Sequence, residues 1–169
     1  LILETERLQL RLLKERDAEM ILVLLNEPSF IHNIGDKGVR NYQDALDYIN
    51  SGPLAMQKEL GFSLYCCVNK TTQQAVGLSG LIKREGIDHP EVGFAFLSDF
   101  CRKGYGFESA QAVVNYAKHQ LALNCLQAIC NLDNEASKAL LKRLDFKFLK
   151  NIELATNKQT VMLFELNDS

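Results

Sequence analysis

The chain has little that would tie it to a nucleic acid, a membrane or an oxidising compartment. Its formal net charge at pH 7 is only −2 over 169 residues, so no global field draws it to polyanions and any anion site must be local. No apolar run approaches the roughly 20 residues of a membrane span. The opening LILETERLQLRLL alternates and carries acids, unlike a secretion signal. None of the five cysteines forms a C-x-x-C pair, and the three histidines, His32, His89 and His119, are scattered. Cys66, Cys67, Cys125 and Cys130 fall in strand-like or buried-looking contexts, which reads as reduced core thiols rather than a metal or redox centre. The expected compartment is the cytoplasm. Repeats, linkers and low-complexity tracts are missing, so residues 1–169 are expected to form a single domain.

Apolar residues make up 47% of the sequence, enough for a real core at this length. LQLRLL at 8–13 alternates as a strand does. Asp17 is placed to cap a helix over AEMILVLLNE, whose Met20, Ile21, Leu24 and Leu25 share a face, and Pro28 is expected to end it. SFIHNIGDKGVRN then reads as a loop, and YQDALDYINS as a short helix stopped by Gly52 and Pro53. From residue 61 the character changes. FSLYCCV, AVGLSGLIK and EVGFAFL are strand-like runs joined by short turns, an antiparallel meander. Phe107, Ala110, Val114, Ala117 and Leu121 recur at helical steps; LQAICN reads as a buried strand, NEASKALLKRL as a helix, and FKFLKNI and TVMLFEL as two closing strands. The expected fold class is α/β (α+β), a mixed, mostly antiparallel central sheet flanked by helices.

One stretch conflicts with ordinary helix propensity. CRKGYGFESAQAVV places Gly104 and Gly106 where a helix should start, among Arg102, Lys103 and Tyr105. Glycine weakens a helix start by about 1 kcal/mol relative to alanine. The compensation on offer is anion binding: unpaired N–H groups, the helix dipole, no Cβ to hold a ligand off, and two cations alongside. An exposed tight turn with solvated cations satisfies the same residues. A dinucleotide fingerprint fits poorly, because Ser109 stands at the third glycine position, residues 98–103 separate the preceding strand from Gly104, and too little chain follows Asp133 for a doubly wound sheet. A P-loop is excluded by the lack of G-K-[ST].

The order EVGFAFL, SDFCRKGYGFESA, helix, LQAICNLDNEASKALLKRLDF resembles the GNAT superfamily of N-acetyltransferases. ETERLQLRLL, the early helices with their intervening loop, and N-E-A-S look most like its RimJ/RimL-type branch, and the likeness covers nearly the whole chain. The resemblance implies the GNAT-like acyl-CoA N-acyltransferase fold and acetyl-CoA as cosubstrate, without a metal. Its pyrophosphate motif maps onto Cys101, Gly104 and Gly106, with cysteine where the family has Gln or Arg. Backbone N–H groups from Arg102 through Phe107, including Lys103 and Tyr105, are implied to hold the pyrophosphate. Phe94, Ala95 and Phe96 are implied to pair with the pantetheine arm and to stabilise an oxyanion. Asn134 matches a cofactor-contacting asparagine, although its spacing equally suits an N-cap. At Asp145 the family has glycine.

Transfer to an amine needs a base, because the amine is mostly protonated at neutral pH, and an acid for the departing thiolate. The resemblance implies Glu91 as the base, acting through water, and Ser137 as the group that protonates or orients the sulfur. Tyr105 and Tyr116 are alternatives for the acid. Structural roles for Glu91 and Ser137 are equally consistent with the residues themselves. On the acceptor side, Asp36 is suited to a cationic amine, and Lys37 and Arg40 to a carboxylate or phosphate; a solvated loop is the plainer reading. None of Cys66, Cys67 and Cys101 has a neighbouring histidine in sequence, so direct attack in a ternary complex is expected rather than an acyl-enzyme. The expected partners are acetyl-CoA and an amine-bearing acceptor, with no nucleic acid or membrane, in a monomer or homodimer. Competing readings are a catalytically weak CoA sensor or interaction module on the same fold, and a nucleotide-binding regulator using the same glycines.

Overall fold

The computed structural model describes residues 1–167. Its frame is one eight-stranded sheet, β1 Leu3–Glu4, β2 Leu8–Arg11, β3 Leu64–Asn69, β4 Ala75–Ile82, β5 Glu91–Phe96, β6 Cys125–Asn131, β7 Lys147–Glu153 and β8 Thr160–Asn167, in the order β1-β2-β3-β4-β5-β6-β8-β7. Every pairing is antiparallel except that of β5 with β6. The expected mixed, mostly antiparallel sheet is what forms.

Helices cover both faces. α1 Ala18–Leu25, α2 Pro28–Asn33, α3 Tyr42–Ile49 and α4 Ala55–Leu60 precede the meander, and α5 Tyr105–His119 and α6 Glu135–Arg143 follow it. Ile21, Leu24, Ala45 and Ile49 pack with Cys66, Val68 and Leu78 on one face of the sheet. Ala110, Val113, Val114 and Ala117 of α5 pack with Tyr65, Leu81 and Val92 on the other. Alternation in β3 to β5 therefore feeds two cores, which is why these strands read as near-continuous apolar runs.

Three local expectations need correction. Pro28 opens a helix instead of closing one: it stands in the first turn of α2, where its missing N–H costs nothing, so residues 28–33 are helical within what reads as a loop. Gly52 and Pro53 do not stop the next helix either. The chain passes through a π-helical turn at Asn50–Leu54 and continues into α4. The wider turn makes room for the buried proline ring, while Asn50 Nδ2 donates to the Leu46 carbonyl and Ser51 Oγ to that of Asp47. Asp17 precedes α1 but does not cap it with its side chain. It is buried, and it accepts from Arg11 and from the Lys14 amide instead. Asp145 holds φ 69° immediately beyond the end of α6, the left-handed stop for which glycine is better suited.

Candidate active site

β5 and β6 meet at a single position, Glu91 opposite Gln127. Gln127 secures it twice: its amide donates to the Pro90 carbonyl (2.9 Å) and its Oε1 accepts from the His89 amide (3.1 Å). Beyond that point the parallel strands part, and a cavity of about 780 Å³ opens between Val92–Phe96 on one side and Ile129–Asn131 on the other. The Leu97 amide donates to the Val76 carbonyl, so alternate peptide groups of β5 at 91, 93 and 95 turn toward β4. Those of Phe94 and Phe96 turn into the opening. Ala95 lines the cleft, but its peptide belongs to the sheet.

At the far end of β5 the loop 101–104 delivers the chain to α5. Arg102 and Gly104 both take left-handed backbone, with φ 61° and 84°. The Cys101 amide is taken by the Ser98 carbonyl and the Glu108 amide by that of Gly104, but among the described residues no acceptor meets the amides of Arg102, Lys103, Gly104, Tyr105, Gly106 or Phe107. Left-handed residues in such a loop curl successive N–H groups into a concave donor array, and the N-terminus of α5 adds its dipole. Bare backbone is also needed at Gly106: a Cβ there would stand 3.1 Å from Leu140 Cδ1 and 3.9 Å from Phe94 Cδ2, closing the gap between α5, α6 and β5.

The side chains around this array divide. Arg102 and Phe107 line the cleft. Lys103 does not, and holds its ammonium over the Phe100 ring at 5.7 Å. Tyr105 is an anchor: its hydroxyl accepts from Asn69 Nδ2 (3.0 Å), Arg7 stacks over its ring at 4.4 Å, and Phe96 packs beside it. Sequence reasoning missed Arg143, which lines the cleft with its guanidinium 3.8 Å from the Phe107 ring centre. Helical spacing carried the signal, since residues 136, 140 and 143 share one face of α6.

Asn134 caps α6, its Oδ1 accepting from the Ser137 amide (3.1 Å), and it also lines the cleft. The two roles proposed for it by spacing and by resemblance are therefore compatible. Ser137 lies half-buried in the first turn of α6, lining the cleft, and its hydroxyl makes no hydrogen bond to the described residues. Tyr116 sits elsewhere, edge-on to Tyr65 at 6.4 Å, and does not line the cleft.

Glu91 is 3% exposed at the closed end of the cleft. Arg84, unremarked in the sequence, donates to both of its oxygens, Nε at 3.1 Å and Nη2 at 3.2 Å. Burial pushes the Glu91 carboxyl above its ordinary value against the pull of Arg84, Lys37 and Lys83. Lys37 also reaches the cleft from its exposed loop, and desolvation followed by the nearby Arg84 charge lowers its ammonium. Asp36 and Arg40 do not line the cleft; they bind each other at the surface.

The cysteines are all free. Cys101 is exposed, with its thiol raised first by burial and then by Glu27, and its Sγ lies 3.5 Å from the Phe96 carbonyl oxygen. Cys125 does converge with a histidine in space: ligand atoms of His89, Cys125 and Glu165 lie within 4.8 Å of one another, outside the cleft. No helix among the described residues is long and apolar enough to cross a membrane.

Known proteins share this fold. A family model described as an acetyltransferase (GNAT) domain matches residues 7–147. The uncharacterized N-acetyltransferase YoaA of Bacillus subtilis (strain 168) is 26% identical over 147 residues, spanning 86% of this chain and 82% of that protein. A GNAT-family acetyltransferase from Bacillus anthracis superposes with a TM-score of 0.80 at 20% identity, over 98% of this chain and 97% of that one. RimL, a ribosomal-protein alpha-N-protein acetyltransferase solved in complex with coenzyme A, superposes at 0.83 with 18% identity, over 99% of this chain and 98% of its own. A parted parallel pair, a free strand edge and an uncapped glycine-rich helix start, together with a family match across most of the chain, show that this protein belongs to the GNAT family and is an N-acetyltransferase.

Proposed function

We propose that the cleft binds acetyl-CoA and passes the acetyl group directly to a primary amine in a ternary complex, in the manner of the RimJ/RimL-type branch. The observation that carries this reading is the row of unpartnered amides at 102–107 standing at the open end of β5. A diphosphate fits those donors, with Arg102 and Arg143 at the rim of the same cleft, and an extended arm fits the peptide edge of Phe94 and Phe96. Its acyl end then lies near Val92 to Phe94, within the reach of Glu91.

In that geometry the neutral amine attacks the thioester carbonyl, forming the C–N bond, while the oxygen gathers negative charge beside a β5 amide. A proton leaves the nitrogen through water to Glu91. Arg84 takes one lone pair from each carboxylate oxygen and leaves another on each, so the acid can hold its arginine and still accept. The C–S bond then breaks, and Ser137, whose hydroxyl is uncommitted, supplies or orients the proton that the thiolate takes up. The free thiols fit a reducing compartment, and we place the protein in the cytoplasm.

Calorimetry with acetyl-CoA tests the reading. Binding is expected, and Gly106→Phe is expected to weaken it by about a hundredfold or more by filling the gap against Leu140, with the folded state checked by circular dichroism. Absence of binding at millimolar acetyl-CoA, or unchanged affinity in a folded Gly106→Phe variant, overturns it.

A further inference from the structure

Both ends of the cleft carry a cationic excess, and the end remote from α5 has no bound role assigned above beyond Glu91. β5 separates them by roughly 17 Å, from its six residues at about 3.4 Å each. Among the described residues, Glu91 is the only acid that lines the cleft. Around it stand Lys37, Lys83 and Arg84, three cations against one carboxylate. Of the acids close in sequence, Asp36 is held by Arg40 and by the Gly38 amide, and Glu85 and Asp88 are exposed and do not line the cleft.

We infer that this end is an anion subsite, and that the acceptor carries a carboxylate or phosphate close to its reactive amine. The inference rests on the reading of the other end as the acetyl-CoA site. Arg84 commits Nε and Nη2 to Glu91, which leaves Nη1 with no acceptor among the described residues. Its side chain is 21% exposed, enough to meet a ligand and little enough to strengthen the contact. Lys37 adds a second charge that lines the cleft, and the attraction of an anion offsets the desolvation that lowers its ammonium. Lys83 is turned toward the carbonyls of Arg84 and Ile87 and contributes field rather than contact. From α3, Tyr48 lines the same cleft with a hydroxyl that has no partner among the described residues, and burial raises it to about 12, so it is a neutral donor at working pH. The free guanidinium edge of Arg84 and the Lys37 ammonium form a donor set for an oxyanion. A polyamine or a lysine within a basic segment meets like charge here.

The chemistry is shared by two sources, and matched pairs separate them. Protein saturated with CoA is titrated calorimetrically with β-alanine against β-alaninamide, and with O-phosphoethanolamine against ethanolamine. In at least one pair the anionic member is expected to bind about tenfold or more tightly, the worth of a charge-assisted contact, and that pair names the group. Lys37→Met is expected to shrink the difference while leaving CoA affinity unchanged. Equal affinity within both pairs, no binding of either anionic member at millimolar concentration, or tighter binding of spermidine overturns the anion subsite with the cofactor reading intact. Failure of CoA itself to bind overturns both.

Discussion

Two buried acids in this molecule are each gripped by an arginine, and they come out opposite. Asp17 accepts from Arg11 Nη1 and Nη2 at 2.8 and 2.9 Å and from the Lys14 amide at 2.8 Å. Burial alone would raise its carboxyl, but Arg11 and the amide prevail and hold it below its ordinary value. Glu91 has the looser fork from Arg84, no backbone donor, and deeper burial whose desolvation outweighs its cations, and it ends above its ordinary value. Depth of burial, one extra N–H and a few tenths of an ångström together separate an acid locked as a charge from one able to exchange a proton. The first ties β2 to the start of α1; the second faces the cleft.

The sharpest way to break this contrast is Glu91→Gln. It is expected to lower kcat by about 10²–10⁴ with acetyl-CoA affinity unchanged, read from initial rates and calorimetry. An unaltered kcat would make Glu91 a second structural acid. Next in size, Asp17→Asn is expected to cost about 3 kcal/mol of stability by orphaning Arg11 in the core, measured by urea unfolding, with turnover per folded molecule retained.

The pH responses should also run oppositely. Asp17, depressed in the fold, contributes stability above its ordinary value of 3.8 that is lost as pH falls through the lower folded value. Glu91, raised in the fold, contributes stability below its ordinary value of 4.5 that is lost as pH rises through the folded value. Stability profiles of the two single variants should each lack one of these limbs. As a base Glu91 must be ionised, so kcat/KM should fall on the acid side at a pH above 4.5. The smallest effect is expected from Arg84→Lys, which loses the fork and should move that acid limb further up.

The cofactor end was legible because its signal is local. Gly104 and Gly106 violate helix propensity within a few residues of the strand they serve, and the structure leaves their amides unpaired. The end around Glu91 was legible only in part: Glu91 and Lys37 were singled out, and Arg84 was not. Lys37, Arg84 and Glu91 come from a loop, a turn and a strand start, and only the fold brings them to one place. Arg84 looked like an ordinary turn residue in REGIDHP; nothing nearby in sequence marks it as the partner of a buried glutamate. Among the secondary elements, Pro28 and Pro53 were read as breakers from propensity alone. One stands in a first turn, and the other sits in a widened turn whose Asn50 and Ser51 bond back to the Leu46 and Asp47 carbonyls of α3, contexts set by neighbours rather than by proline itself.

The lone rung between Glu91 and Gln127 leaves a seam through the middle of the sheet. A molecule that bonds to the Phe94 and Phe96 peptides supplies there the hydrogen bonds a ninth strand would have made, so occupancy and cohesion of the two half-sheets become one quantity. The melting temperature should climb with the logarithm of ligand concentration, and amide exchange at those two residues should slow in step.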